Sequence, residues 1–131
     1  MKSQIDQFFS SKAYAVIGAS NNREKYGNKV LRCYLQNYLT VYPINPRAGF
    51  IEGLACLQDL NDLPNSVKSI SIITLPEITE KIVDQAIKKG IKNIWIQPGA
   101  ESDIARDKCL KNQINIISNG PCILVELGFV E

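Results

Sequence analysis

A chain of 131 residues and 14.6 kDa is sized for a single domain spanning 1–131, and at that length burial of roughly two-thirds of the unfolded surface needs no metal or disulfide staple. Hydrophobic residues make up 45% and charged residues 21%, and fifteen Lys and Arg against thirteen Asp and Glu leave a net charge of +2 with no basic tract; this excludes a disordered chain and argues against nucleic acid as a partner. Histidine is absent, which removes Ser-His and Cys-His nucleophilic pairs, phosphohistidine intermediates and His-ligated metals.

Ser3 with Asp6 has the spacing of a capping box opening a short helix through about Phe9, with Ile5, Phe8 and Phe9 on one face. Ala13 to Ile17 reads as a strand buried on both faces and ending at Gly18. A helix follows from about Gly27 to Tyr38, with Val30, Leu31, Tyr34, Leu35 and Tyr38 inward; Tyr34 and Tyr38 equally suit a self-association face. Residues 40–44 form the second strand, closed by Asn45-Pro46-Arg47. Ile51 to Leu57 reads as a short edge strand, with a turn of helix before Pro64. The strand at 69–75 ends at Pro76, and the helix from Glu77 to Lys89 presents Ile78, Ile82, Val83, Ala86 and Ile87 and is capped by Gly90. A strand at 93–97, a helix at 101–113 and a strand at 115–118 complete the pattern.

Strands alternating with crossover helices predict a parallel sheet covered on both faces: an α/β, Rossmann-like doubly wound domain. The cysteines, Cys33, Cys56, Cys109 and Cys122, show neither a CxxC pair nor zinc spacing, and read as reduced, mostly buried thiols. The amino-terminal residues lack the apolar core of a secretion signal, and no run reaches membrane-spanning length. A cytoplasmic, soluble protein without a membrane partner is expected.

In such sheets a ligand lies beyond the carboxyl ends of the strands, where strand order reverses. The first of these ends, Gly18-Ala19-Ser20-Asn21, leads through Lys25-Tyr26-Gly27 into a helix whose unpaired amides and dipole favour a phosphate. Ser20, Asn21 and Asn22 add donors, and Arg23 and Lys25 add positive charge. The loop is not a GxGxxG fingerprint, because Ala19 is followed by Ser20 and the next glycine is Gly27. At the second strand end, a carboxylate would suit the ribose hydroxyls of NAD; Asn45, Pro46 and Arg47 stand there instead, with none before Glu52. A cation at that place suits a phosphate on the ribose, as in NADP or coenzyme A.

The runs Ala15-Val16-Ile17-Gly18-Ala19-Ser20, Lys25-Tyr26-Gly27, Val41-Tyr42-Pro43-Ile44-Asn45-Pro46, Gln97-Pro98-Gly99-Ala100 and Gly120-Pro121-Cys122-Ile123 resemble the small CoA-binding-domain proteins, relatives of the CoA-binding part of the succinyl-CoA synthetase alpha subunit. The resemblance covers about Lys12 to Glu126. It implies that Gly18, Ala19, Ser20, Asn21 and Lys25-Tyr26-Gly27 hold a pyrophosphate, with Asn45, Pro46 and Arg47 near the adenosine phosphate. It also implies that Thr74, Leu75, Pro76 and Ile78 flank adenine or pantetheine, and that Gln97, Pro98 and Gly99 face the thiol end. Arg23-Glu24 and Glu77 depart from the family pattern, and Glu77 is tolerable near a polyanion only if it points to solvent.

The larger relatives use a phosphorylated histidine and further domains, so the resemblance supports binding of CoA or a short acyl-CoA as carrier, sensor or regulator rather than catalysis. An NAD(P)-binding sensor module and a non-catalytic subunit of an acyl-CoA enzyme working with a partner chain are the alternatives, and a homo-oligomer fits either. Cys122 stands just past Gly120-Pro121, where an exposed thiol would meet the pantetheine sulfur. Glu101 suits a helix dipole better than a general base, and Trp95 suits the core better than a stacking platform.

Overall fold

The computed structural model describes residues 2–131. The first half of the chain runs through α1 (Lys2–Phe8), β1 (Ala13–Ile17), α2 (Tyr26–Gln36), β2 (Val41–Ile44), β3 (Phe50–Ile51) and β4 (Leu54–Ala55) to a 3-10 turn (Leu60–Asp62). β5 (Val67–Ile72), α3 (Pro76–Lys89), β6 (Asn93–Ile96), α4 (Asp103–Lys111), β7 (Asn115–Ile117) and α5 (Ile123–Glu126) follow. Five strands pair in parallel in the order β2-β1-β5-β6-β7, and helices cover both faces, as the alternation of strand and helix requires.

Side chains alternate across each strand, so the two faces have separate cores. On one face Ala13, Ala15 and Ile17 join Ile70, Ile72, Ile94 and Ile96 beneath Val83 and Ala86 of α3 and Ala105 and Cys109 of α4. On the other, Tyr14, Val16, Trp95 and Ile117 meet Phe8, Val30, Leu31, Tyr34 and Ile123 from α1, α2 and α5. β5 turns its two serines to this aromatic side. Ser69 Oγ donates to Phe8 O at 2.7 Å, and Ser71 Oγ shares a 2.6 Å hydrogen bond with the Tyr34 hydroxyl. Small hydroxyl side chains leave room for large rings and satisfy the polar atoms those elements bury. Trp95 is wholly buried, as expected of a core residue, and its indole N–H donates to Pro121 O at 3.0 Å.

Five local expectations are corrected. Ser3 lies within α1, which already includes Lys2, so it is no amino-terminal cap. Tyr38 is 96% exposed, because α2 ends at Gln36 and the chain reverses through Tyr38 at φ 58. There Tyr38 N and Leu39 N donate back to Leu35 O and Tyr34 O, a Schellman motif that throws the intervening side chain outward. Tyr34 is fully buried, so it cannot join Tyr38 in a self-association face. The strand expected at 69–75 runs over Val67–Ile72: Val67 pairs with Ala13, while Leu75 leaves the sheet to become the residue before α3. The edge strand expected at 51–57 is instead the antiparallel β3–β4 hairpin, because Glu52 and Gly53 both take positive φ and turn the chain back; only Leu57 bridges to Ile44 of β2.

Candidate functional site

Strand β1 lies between β2 and β5, so the crossovers diverge at its carboxyl end and open the crevice expected of a doubly wound sheet. A cleft of about 630 Å³ fills it. The β1–α2 loop supplies Gly18, Ala19 and Ser20, and the start of α2 supplies Lys25, Tyr26 and Gly27. Asn45 and Pro46 close one side, and Thr74 and Ile78 the other. A second cleft of about 580 Å³ continues from Tyr26, Ile73 and Thr74 past Leu75 to Pro98, Gly99 and Cys122.

Two glycines make the first loop possible. At Gly18, with φ +98, a Cβ would collide with Ile73 O; at Gly27 a Cβ would collide with Gly18 O. The first turn of α2 therefore rests directly on the carbonyl of Gly18, the residue after β1. Lys25 precedes this helix without a side-chain capping hydrogen bond, so the opening amides keep their donor capacity and their share of the helix dipole. Asn28, fully buried, ties the loop down: its Nδ2 donates to Ser20 O at 2.9 Å and to Glu52 Oε2 at 3.1 Å, while its Oδ1 accepts from Arg32 Nε at 2.7 Å. Arg32 also donates to Arg23 O at 3.0 Å and lies over the Phe129 ring. Asn45 pins the opposite wall, with Nδ2 donating to Ala19 O at 2.9 Å.

Several expected site residues lie apart from the cleft surface. Asn21 and Arg47 are exposed and line neither cleft; the Arg47 amide donates to Asn45 Oδ1 at 2.8 Å. Pro76 is the first residue of α3 and is likewise outside the lining. Gln97 is wholly buried, its Oε1 accepting from the Tyr26 hydroxyl at 3.1 Å and from Ile123 N at 3.2 Å. Arg23 pairs with Glu52 at 3.7 Å instead of lining the cleft. Glu77 is exposed, which removes the concern its charge raised. Glu101 Oε1 accepts from Gly99 N at 2.7 Å and so shapes the β6–α4 loop; it precedes the helix rather than joining its first turn.

Sequence reasoning missed Gln58, Asp59, Ile82 and Gln85 in the cleft, and Glu52 behind its loop. Asp59 carried a readable signal, since its Oδ1 accepts from Asn61 N at 2.8 Å and caps the 3-10 turn. Glu52 carried none, because the hairpin turn alone brings it to Asn28. Cys122 is half-buried in the second cleft, and its Sγ meets the Tyr26 hydroxyl. Burial, and then contact with Cys122, pushes the Tyr26 phenol far up, so it keeps its proton at neutral pH. Among the described residues, no group of three or more His, Cys, Asp or Glu is placed to hold a metal, and no helix is long and apolar enough to cross a membrane.

The family described as the CoA binding domain matches residues 12–128. Among curated proteins, the ADP-forming acetate–CoA ligase II subunit alpha of Pyrococcus furiosus is 30% identical over 94 residues, 70% of this chain and 20% of that subunit. The ADP-forming acetate–CoA ligase II of Archaeoglobus fulgidus is 36% identical over 95 residues, 70% of this chain and 14% of that protein. The chain thus spans about a fifth or less of the length of these relatives. Among solved structures, a conserved hypothetical protein from Pyrococcus furiosus superposes with a TM-score of 0.83 at 36% identity, covering 88% of this chain and 98% of that one. The dinucleotide-forming acetyl-coenzyme A synthetase 1 of Ca. Korarchaeum cryptofilum, in complex with phosphate and ADP, gives a TM-score of 0.75 at 26% identity over 87% of this chain and 27% of that one. A parallel sheet with a glycine-framed crevice at its switch point and a family match over nearly the whole chain lead to one conclusion: this chain belongs to the CoA-binding-domain family.

Proposed function

We propose that the chain binds CoA or a short acyl-CoA across the β1–β5 crevice and acts as a carrier, sensor or regulator of that ligand, in the cytoplasm. The observation that carries this reading is the continuity of the two clefts through Tyr26, Ile73 and Thr74. One end offers uncapped helix amides and Lys25 to a pyrophosphate, and the other offers a mostly apolar path to a flexible arm. Gly18 and Gly27 let backbone approach the phosphates closely. Asn45, Pro46 and the exposed Arg47 form the side nearest the adenosine phosphate, and Leu75 and Ile78 border the base or the arm.

Differential scanning fluorimetry tests it: CoA at 100-fold its Kd stabilises the fold by about 2.7 kcal/mol, and NADH at the same concentration does not. A shift with NADH and none with CoA overturns the assignment. A second reading, that the domain serves a partner chain, draws on the match to part of a longer ligase alpha subunit. Stoichiometric co-purification of a second chain would favour it.

A further inference from the structure

The far end of the second cleft holds a cluster that ligand retention does not require. Gln97 sits at the carboxyl end of β6, next to the lining residues Pro98 and Gly99, and is 0% exposed. Its Oε1 accepts two hydrogen bonds, from the Tyr26 hydroxyl and from Ile123 N, which fixes the orientation of the carboxamide. Its Nε2 is then left buried with no acceptor. A buried donor left unpaired is costly, and this one shares a carboxamide with the oxygen that holds Tyr26 against the Cys122 thiol. What the cluster lacks is an acceptor oxygen beside a sulfur nucleophile.

We propose that this cluster is an acyl-transfer site, where Cys122 takes the acyl group of a short acyl-CoA thioester while Gln97 Nε2–H, held in place by the Tyr26 hydroxyl on Oε1, donates to the carbonyl oxygen. The inference rests on the CoA reading above. Cys122 sulfur bonds to the carbonyl carbon, and the bond from that carbon to the CoA sulfur breaks. The Cys122 proton leaves with the departing CoA thiol, so no oxidant or reductant is needed. A donor to that oxygen stabilises the charge that develops there, and Tyr26 holds its proton throughout the neutral range, so it keeps Gln97 Oε1 occupied and Nε2 free. The incoming carbonyl displaces the Tyr26 hydroxyl from the thiol and gives Nε2 its acceptor. Cys33 and Cys109 are buried, whereas Cys56 is half-buried yet lines neither cleft, which makes it an internal control.

The test uses acetyl-CoA, intact mass and peptide mapping on the full chain, with CoA binding measured in parallel by equilibrium dialysis. One acetyl group is expected on Cys122, released by neutral hydroxylamine, absent in Cys122→Ser and present in Cys56→Ser. At saturating acetyl-CoA the rate is expected to fall about 10²-fold in Gln97→Met, and by less in Tyr26→Phe, which keeps the donor and removes only one of the two hydrogen bonds that orient it. If Cys122→Ser does not fold, mapping of the wild-type adduct places the acetyl group directly. CoA bound without any transfer overturns this inference and leaves the binding function standing. Acetylation of Cys56 to the same extent, or an unchanged rate in the urea-unfolded chain, also overturns it. No bound CoA overturns the binding function and the transfer together.

Discussion

Gly18 and Gly27 set how closely the β1–α2 loop approaches the sheet, and their side-chain hydrogens are the only substituents that fit. A Cβ at either place meets a backbone carbonyl, which cannot rotate away as a side chain would. Gly18→Ala and Gly27→Ala are each expected to destabilise the fold by about 2–4 kcal/mol in urea unfolding, through overpacking and, at Gly18, a left-handed φ. Gly49→Ala, where nothing lies within 4 Å, is expected to stay within about 0.5 kcal/mol. Arg47 acts at the same scale but through charge. It is exposed and outside the cleft lining, so Arg47→Glu is expected to weaken CoA by about 1 kcal/mol and dephospho-CoA by less. Equal losses in paired titrations would remove the proposed phosphate contact.

Helix ends carry the clearest contrast at the scale of elements. α2, α3 and α4 all close with the same backward pair of hydrogen bonds, through Tyr38, Gly90 and Gln113 in the left-handed region. Only Gly90 announced its cap in the sequence, since the other two positions bear side chains that ordinarily avoid positive φ. Gln113→Gly is therefore expected to raise stability by about 0.5–1 kcal/mol in chemical unfolding, by relieving that conformation. At the other ends, Ser102 caps α4 by accepting from Ala105 N at 3.2 Å, and its hydroxyl donates to Glu80 of α3 at 2.5 Å. Ser102→Ala is expected to cost about 1 kcal/mol. Ser3→Ala, inside α1, has no cap to lose and is expected to be neutral within about 0.5 kcal/mol.

Burial across the whole molecule couples its stability to alkaline pH. Burial pushes the thiols of Cys33 and Cys109, on opposite faces of the sheet, from 9.0 up to about 11. An unfolded chain loses those protons near pH 9, while the folded chain keeps them until about pH 11. The folded state binds more protons throughout that window, so stability is full below pH 9 and falls as pH rises toward 11. Denaturant titrations across the window are expected to show this decline, and a smaller one in Cys33→Ala/Cys109→Ala. The same packing makes the crevice. Its two lobes exist because β1 is flanked by β2 and β5, an order that no local run of residues encodes.

The architecture was legible in the chain alone. Uninterrupted apolar runs such as Ala13 to Ile17 can be satisfied only by burial on both faces, and Gly18 at the end of that run marks a close backbone approach through its missing side chain, whereas the contact of Gly27 with the Gly18 carbonyl needed the folded chain. The shared face of Ile5, Phe8 and Phe9 was legible for the same reason, because periodicity is local. Tertiary structure decided the rest. It delivered Glu52 and Asp59 from a hairpin and a 3-10 turn, left Arg47 on the surface, and joined Tyr26, Gln97 and Cys122 from three elements far apart in the chain. Contacts at such separation depend on strand order and turn geometry, and a one-dimensional pattern carries neither.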